Sequence, residues 1–173
     1  MCASTKPTFQ IVAVDQNAAQ RHLRDLLSSL DKDFPYTPAI DDYCERAGTA
    51  ESTTVIAKSG DKIVGAAFME PLSDDTNEMV VIAVDANFQR CGIGSALAKT
   101  LEEITRRSGK SFLFSRAIGP SQKVADDIKG FQFLKKNSFY FVKEFPTLWE
   151  GYPCAFLFKP ISSAPPTSSY DHR

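Results

Sequence analysis

The stretch VIAVDANFQRCGIGSAL, residues 81–97, decides the fold class. It begins as a run of β-formers and ends as the start of a helix, with Gly92 and Gly94 in the turn between them. A strand that leads through glycines into a helix N-terminus is typical of an anion site, because the first helical N–H groups have no partners within the helix and the helix dipole adds positive charge. The turn therefore predicts a phosphate-binding loop. The alternative is a helix start whose glycines serve only tight packing.

Two familiar phosphate loops do not fit this stretch. A Walker A loop needs a lysine and then a Ser or Thr directly after its last glycine, whereas Ser95 and Ala96 follow Gly94. A dinucleotide-binding loop needs a third small residue where Leu97 stands, and it comes near the start of a sheet. Neither class describes the turn.

The residues before this stretch predict a strand, two helices and then three antiparallel strands. Asp15 or Asn17 is expected to cap the first helix, and Pro35 and Pro38 are expected to exclude regular structure from the loop after it. The predicted elements are a strand at 9–14, a helix ending near Leu30, a short helix at about 40–47, a hairpin around Ser59-Gly60-Asp61, and a third strand ending at Val84.

The residues after the glycines predict an amphipathic helix followed by a strand parallel to the one before it. A further helix at about 123–136 and two closing strands complete the chain. This order predicts an α/β domain with a mixed, largely antiparallel sheet and helices on both faces. The buried face of the amphipathic helix is expected to contain Ile93, Leu97, Leu101 and Ile104.

Composition bounds the class of protein. The 173 residues suit one domain at 9–160, with a flexible N-terminus at 1–8 and a disordered tail at 161–173. A net charge of -1 argues against nucleic acid, and no apolar run is long enough for a membrane span, so a cytoplasmic protein is expected. Four scattered cysteines and two histidines predict reduced thiols and no metal site.

The run from Val84 to Gly94 resembles motif A of the GNAT superfamily of N-acetyltransferases. The family signature is Gln/Arg-x-x-Gly-x-Gly/Ala after a strand, and its counterparts are Gln89, Gly92 and Gly94. The likeness extends over about residues 9–159. It implies a sheet splayed between the fourth and fifth strands, acetyl-CoA as cosubstrate, and transfer of an acetyl group to a primary amine.

The resemblance also implies where acetyl-CoA would bind. Backbone amides of the loop would hold the pyrophosphate, and the edge of the preceding strand would hold the pantetheine arm. The implied pyrophosphate residues are Gln89, Arg90, Cys91, Gly92, Ile93, Gly94 and Ser95, and the implied pantetheine residues are Ile82, Ala83 and Val84.

Glu78 is the candidate general base. Its spacing to the glycine signature is similar to that in the histone-acetylating branch of the family, where a glutamate takes this role. Strand alternation predicts that Glu78, Val80, Ile82 and Val84 share one face. The alternative is a solvated carboxylate at the start of a strand.

The chain departs from the family at the general acid. Many members carry a tyrosine that protonates the departing thiolate, and Leu134 stands at the matching position in residues 133–139. Ser138 replaces a glycine in the same segment. A substitute acid would be Tyr140, Tyr152 or water, or no acid is needed, since a thiol with a pKa near 8.5 is a tolerable leaving group.

Aromatic residues suggest an acceptor pocket, or alternatively belong to the core. Phe34, Tyr36 and Tyr43 surround the Pro-containing loop, and Tyr152 lies in the last turn. The expected acceptor is a small-molecule amine and the expected assembly a monomer or homodimer. Two alternatives stay open: an acyl-CoA-binding sensor or interaction module with little catalysis, and a protein acetyltransferase acting on N-termini or lysines. A weaker one is O-acetylation or transfer of a longer acyl group.

Overall fold

The computed structural model of the protein describes residues 7–30, 32–34, 36–122, 128–149 and 151–161. Eleven helices and strands are formed by these residues, in the predicted order. They are β1 (Gln10–Val14), α1 (Gln16–Ser28), α2 (Thr37–Ala47), β2 (Thr53–Ser59), β3 (Lys62–Pro71), β4 (Thr76–Val84), α3 (Ile93–Arg107), β5 (Phe112–Ile118), α4 (Lys129–Lys136), β6 (Tyr140–Trp149) and β7 (Tyr152–Pro160).

The strands form a mixed seven-stranded sheet in the order β1-β2-β3-β4-β5-β7-β6. The predicted three-stranded antiparallel meander is confirmed, because β2 pairs with β3 and β3 with β4 in antiparallel register. The predicted parallel pair is β4 and β5, which α3 connects. Among the described strands every other pairing is antiparallel.

The starts of α1 and α2 follow from local chemistry. Asp15 caps α1, and its carboxylate accepts a hydrogen bond of 2.9 Å from the amide of Ala18. The prediction for Pro38 is wrong: α2 begins at Thr37 and has this proline in its first turn. A proline there costs little, because the N–H that it lacks has no partner within a helix anyway.

Two hydrophobic cores lie on opposite faces of the sheet, as predicted. On one face α1 and α2 cover alternate residues of β2 to β4, including Phe68 and Val81. On the other face α3 and α4 pack against the intervening residues, including Ala67 and Met79. The predicted buried face of α3 is confirmed, since Ile93, Leu97 and Leu101 are buried and Ile104 packs beside them.

The chain ends fall mainly outside the described residues. This holds for positions 1–6 of the predicted flexible N-terminus and for 162–173 of the predicted tail. Ile161, the first residue of that tail, is buried in the core against α3 and α4. Positions 123–127 of the predicted last helix are also outside the described residues, and the helix that is described begins at Lys129. No helix in the described part of the chain is both long and apolar enough to span a bilayer.

Candidate active site

A gap opens between β4 and β5. The two strands pair only from Thr76 to Glu78, opposite Phe112 to Phe114, and then separate toward the glycine loop. Where they part, the hydroxyl of Ser115 donates a hydrogen bond of 2.9 Å to the carbonyl oxygen of Met79. Beyond this point, alternate backbone groups of β4 point away from β3 and into the gap.

Ser115 is buried and supplies the donor that a ladder bond from β5 would otherwise give. Ser115→Ala is expected to lower the free energy of unfolding by about 1–3 kcal/mol, because it leaves the Met79 carbonyl without a partner. Acetyl-CoA affinity, measured by calorimetry, should fall as well, since the edges of the gap would relax. Ser108→Ala is the matched control, because this hydroxyl also donates to a carbonyl, that of Thr105, but at the far end of α3. Equal affinities in the two variants would contradict a role for Ser115 in holding the gap.

A β-bulge changes which residues of β4 share a face. Phe68 of β3 lies opposite Val81 and Met69 lies opposite Met79, so Val80 is an extra residue. The prediction that Glu78, Val80, Ile82 and Val84 share one face is therefore wrong, and Val80 packs against the α1/α2 core. Glu78 lies on the α1/α2 face, whereas Ile82 and Val84 pack with the α3 core. A single inserted residue reverses the alternation for the rest of the strand.

The glycine loop joins β4 to α3. Asp85 begins it, accepting from the amide of Asn87 at 2.9 Å and pairing with Lys62 at 2.8 Å. Burial alone would raise the pKa of Asp85, but Lys62 and the Asn87 amide lower it below its ordinary value. A short 3-10 turn, Ala86–Phe88, follows.

The loop then takes two left-handed residues, Arg90 with φ 65° and Gly92 with φ 89°. Gly92 occupies the N-cap of α3, and no side chain caps this helix. The first amides of a 15-residue helix are therefore presented without a side-chain partner, which fits an anion.

The two glycines serve different purposes. At Gly92 an added Cβ would meet no atom within 4 Å, so the positive φ is what calls for glycine. At Gly94 an added Cβ would lie 3.1 Å from the ring of Phe133 and 3.7 Å from Val84. The tight-packing alternative thus describes Gly94, while Gly92 shapes the loop.

The other loop residues fall into exposed and buried sets. Gln89 is exposed, and its side-chain amide donates to the carbonyl of Val84 at 3.2 Å. Arg90 is exposed and makes no ion pair with another described residue, whereas Ile93 is a core residue. Cys91 is disulfide-bonded, so the expectation of four reduced thiols is wrong. Cys44 and Cys154 are free and buried.

Glu78 is buried and ion-paired, which differs from a solvated carboxylate at a strand start. Its Oε1 accepts a hydrogen bond of 2.8 Å from Nε of Arg116 and lies 2.7 Å from Nη2 of the same guanidinium group. Arg116 belongs to the part of β5 that has already separated from β4, and its side chain is 31% exposed. The pair therefore lies on the α1/α2 face beside the opening of the gap.

A second ion pair lies next to the first. Glu70 of β3 stands directly opposite Glu78 and accepts from Nη2 of Arg46 at 2.7 Å. The charges of both ion pairs act on the phenol of Tyr43 in α2. Burial has the largest effect on this group and raises its pKa. Burial also raises the pKa of the nearby Cys154 thiol to about 11, so both groups are protonated at neutral pH.

Leu134 lies in the last turn of α4. Leu134 is 3% exposed and belongs to the α3/α4 core. Ser138 has φ 66°, the left-handed conformation that commonly ends helices at a glycine, and its amide donates to the carbonyl of Lys135. The left-handed conformation of Ser138, at the position where the family has glycine, supports the alignment of residues 133–139 with the family segment. Leu134 in this segment is buried and cannot donate a proton.

Tyr140 is not brought to the gap. It pairs across β7 with Phe158, which in turn pairs with Phe114 of β5, so three strand spacings of about 4.8 Å separate it from β4. Its ring is exposed and lines a hollow near the start of β4, together with Ser73, Asp75, Thr76, Phe112, Phe158 and Pro160. A direct transfer of a proton from Tyr140 to a thiolate in the gap is excluded by this separation.

The predicted acceptor residues lie at the end of the sheet where the gap opens. Tyr36 is exposed and is the N-cap residue of α2, while Phe34 packs partly into the α1/α2 core. Tyr152 is exposed and begins β7. Asp33 lies 3.9 Å from Lys129 at the start of α4, so the loop after α1 reaches the element that covers the other face.

Sequence reasoning missed two polar residues at this site, Ser115 and Arg116, and it named Tyr43 without predicting its place beside the two ion pairs. The signal for the first two is a serine and an arginine that follow the apolar run Phe112–Phe114 within one strand. No group of three or more His, Cys, Asp or Glu side chains in the described ranges is arranged to hold a metal ion.

A mixed sheet that parts between its parallel strands, beside a glycine loop at a helix N-terminus, defines the fold of the GNAT acetyltransferases. The chain belongs to the Acetyltransferase (GNAT) family, whose model matches residues 19–126. No curated protein matches the chain by sequence.

Solved structures show the same fold at low identity. One is a GNAT-family acetyltransferase from Desulfovibrio desulfuricans, with a TM-score of 0.78 and 18% identity over 90% of this chain and 100% of that one. Another is an aminoglycoside 6'-N-acetyltransferase in complex with coenzyme A, with a TM-score of 0.73 and 19% identity over 90% and 99%. A third is a GNAT-family acetyltransferase from Elizabethkingia anophelis with acetyl-CoA bound, with a TM-score of 0.67 and 19% identity over 88% and 97%.

Proposed function

We propose that the protein is an acetyl-CoA-dependent N-acetyltransferase whose acceptor is the primary amine of a small molecule. The observation that carries this proposal is the parting of β4 from β5 after Glu78, directly before the uncapped N-terminus of α3. A thioester donor needs a place for its phosphates and a narrow slot for its arm. The N-terminus of α3 is a place for the phosphates, and the unpaired edge of β4 beside it is a slot for the arm.

The residues present fit the phosphates and arm of acetyl-CoA. The amides from Gly92 to Ser95 would bind the pyrophosphate, with Arg90 as an exposed cation beside them. Backbone groups of Ile82, Ala83 and Val84 would hold the arm along the unpaired edge of β4. Acetyl-CoA supplies the activated acetyl group as a thioester.

The α1/α2 face would receive the acceptor. Glu78 lies there at the opening of the gap, and its carboxylate would take the proton of the acceptor ammonium, directly or through water. Arg116 would fix its position. Leu134 supplies no acid and Tyr140 is distant, so the thiolate would leave unprotonated or take a proton from water.

A second candidate is an acyl-CoA-binding sensor or interaction module with little catalysis. Two observations favour it: the ion pair of Glu78 with Arg116, which already occupies the carboxylate with a partner, and the burial of Leu134. Both candidates require the same donor site. A protein acceptor, a cytoplasmic location and the choice between monomer and homodimer stay predictions.

Thiol release separates the two candidates. Incubation with acetyl-CoA and a panel of amines is expected to liberate coenzyme A in proportion to acetylated amine, detected with a thiol reagent and by mass spectrometry. Calorimetry with acetyl-CoA alone serves as the control for an intact donor site. Clear binding of acetyl-CoA without release in the presence of any small amine or peptide would contradict the enzyme and support the sensor.

A further inference from the structure

A continuous series of aromatic rings lines the sheet beside the candidate active site. The ring centroids of Phe145 and Phe156 are 4.7 Å apart, those of Phe156 and Phe114 are 5.0 Å apart, and those of Phe114 and Phe158 are 4.9 Å apart. Phe112 extends the series by an edge contact with Phe158. We call these five residues the aromatic wall.

The aromatic wall shares its face with the candidate base. Glu78 and Phe114 are partners across the last paired position of β4 and β5, and Phe114 is in turn the partner of Phe158 on β7. Helices α1 and α2 pack on β2, β3 and β4, next to the wall. Phe114 is buried and Phe112 lines the hollow around Tyr140, but Phe145, Phe156 and Phe158 are only partly buried. Flat apolar surface is therefore accessible next to the opening of the gap.

The charged groups beside the wall are balanced. Arg116 pairs with Glu78, and Arg46 holds Glu70 through two hydrogen bonds of 2.7 and 3.3 Å. Asp42 also contacts Arg46, at 3.1 Å, and Lys143 lies 5.1 Å from the ring centroid of Phe145, so three carboxylates and three cations leave no excess negative charge among these described residues. An acceptor with several ammonium groups would gain no unpaired carboxylate here and would bring charge against apolar rings and guanidinium groups.

We infer that the acceptor is a primary amine on an aromatic or similarly flat apolar body, with no second positive charge. This inference rests on the proposed function, since it names the acceptor of the same site. The amine would lie at Glu78, and the body would stack along the partly exposed rings of Phe156 and Phe158.

The first test compares acceptors of different charge and shape. In the thiol-release assay, 2-phenylethylamine and tryptamine are expected to give a kcat/KM at least tenfold above that of spermidine or kanamycin. Ethylamine, which lacks the ring, should be poorer than 2-phenylethylamine mainly through KM. A higher kcat/KM for spermidine or kanamycin would overturn the inference while leaving the N-acetyltransferase intact.

The second test assigns the preference to the wall. Phe156→Ala is expected to lower the ratio of kcat/KM for 2-phenylethylamine to that for ethylamine about tenfold, and the ratio within one variant is insensitive to partial unfolding. Phe141→Ala is the matched control, because Phe141 lies on the opposite face of the sheet, where its ring contacts Phe131 of α4. An equal ratio in both variants and the wild type would overturn the inference.

The third test alters the charge balance. Arg46→Gln leaves Glu70 without its guanidinium partner and should raise spermidine activity relative to 2-phenylethylamine. If no amine is acetylated, calorimetry is used to measure the binding of 2-phenylethylamine and of spermidine to the CoA-loaded protein. This test of the inference does not depend on catalysis. Binding of 2-phenylethylamine that is lost in Phe156→Ala would support the inference even though the proposed catalysis had failed, and its absence in the wild type would overturn it.

Discussion

Gly92→Asp is expected to abolish acetyl-CoA binding, with an increase in Kd of at least about 100-fold, or about 2.7 kcal/mol. Gly92 is the N-cap of α3, and a side chain added there meets no protein atom within 4 Å. The carboxylate would therefore stand in front of the first helical amides, where it would repel a pyrophosphate and accept the hydrogen bonds meant for it. Calorimetry with acetyl-CoA measures the loss.

Gly60→Asp is the control for this substitution. Gly60 has φ 59° in the hairpin turn between β2 and β3, and an added Cβ there also meets nothing within 4 Å. Both variants thus impose an aspartate on a left-handed glycine, but only one places it at the candidate anion site. Gly94→Asp is a poorer choice, because its Cβ would press on Phe133. Equal acetyl-CoA affinity in Gly92→Asp and Gly60→Asp would show that the pyrophosphate does not bind at this loop.

Glu78→Gln is expected to lower kcat/KM about 100-fold at pH 7 and progressively less as the pH rises toward 10. The sign follows from the acceptor: an alkylamine with a pKa near 10.4 is almost wholly protonated at pH 7, and its neutral fraction rises tenfold with each pH unit. If Glu78 is the base, the wild type removes the proton with it, whereas the variant depends on amine that is already neutral. Rate profiles from pH 6 to 10 with the best amine measure the ratio.

Glu70→Gln is a closely matched control for the base. Glu70 stands opposite Glu78 in the sheet and is likewise paired with an arginine, so both substitutions remove a carboxylate from a guanidinium partner. Glu70→Gln should leave the shape of the pH profile unchanged. A profile that is the same in Glu78→Gln and the wild type would remove Glu78 from the role of base, and one that shifts equally in both variants would indicate a general electrostatic effect.

Much of the fold could be predicted because its signals are local. The amphipathic face of α3, the cap at Asp15 and the glycine turn of the β2-β3 hairpin each depend on residues close together in sequence. The glycine loop was predictable for the same reason, since a strand, two glycines and a helix are contiguous. The prediction for Pro38 failed because proline is common both in loops and in the first turn of a helix, and Pro38 lies in the first turn of α2.

The chemistry of the α1/α2 face beside the gap could not be predicted, because it depends on pairings between distant strands. The bulge at Val80 leaves no mark in the sequence, yet it sends Glu78 to the α1/α2 face and Ile82 to the other. The partner of Glu78 is Arg116, which lies 38 positions away on the next strand. Alternation within one strand indicates a face but not which residue of another strand lies beside it.

The central claim is that acetyl-CoA binds with its pyrophosphate at the start of α3 and its arm along the edge of β4. Amide chemical shifts of the nitrogen-15-labelled protein, followed during a titration with acetyl-CoA, test it most directly. The largest changes are expected at Gly92, Ile93, Gly94 and Ser95 and at residues 82–84, with little change at Gly60. Changes confined to another surface, such as the hollow around Phe112 and Tyr140, with the loop unaffected, would contradict the claim.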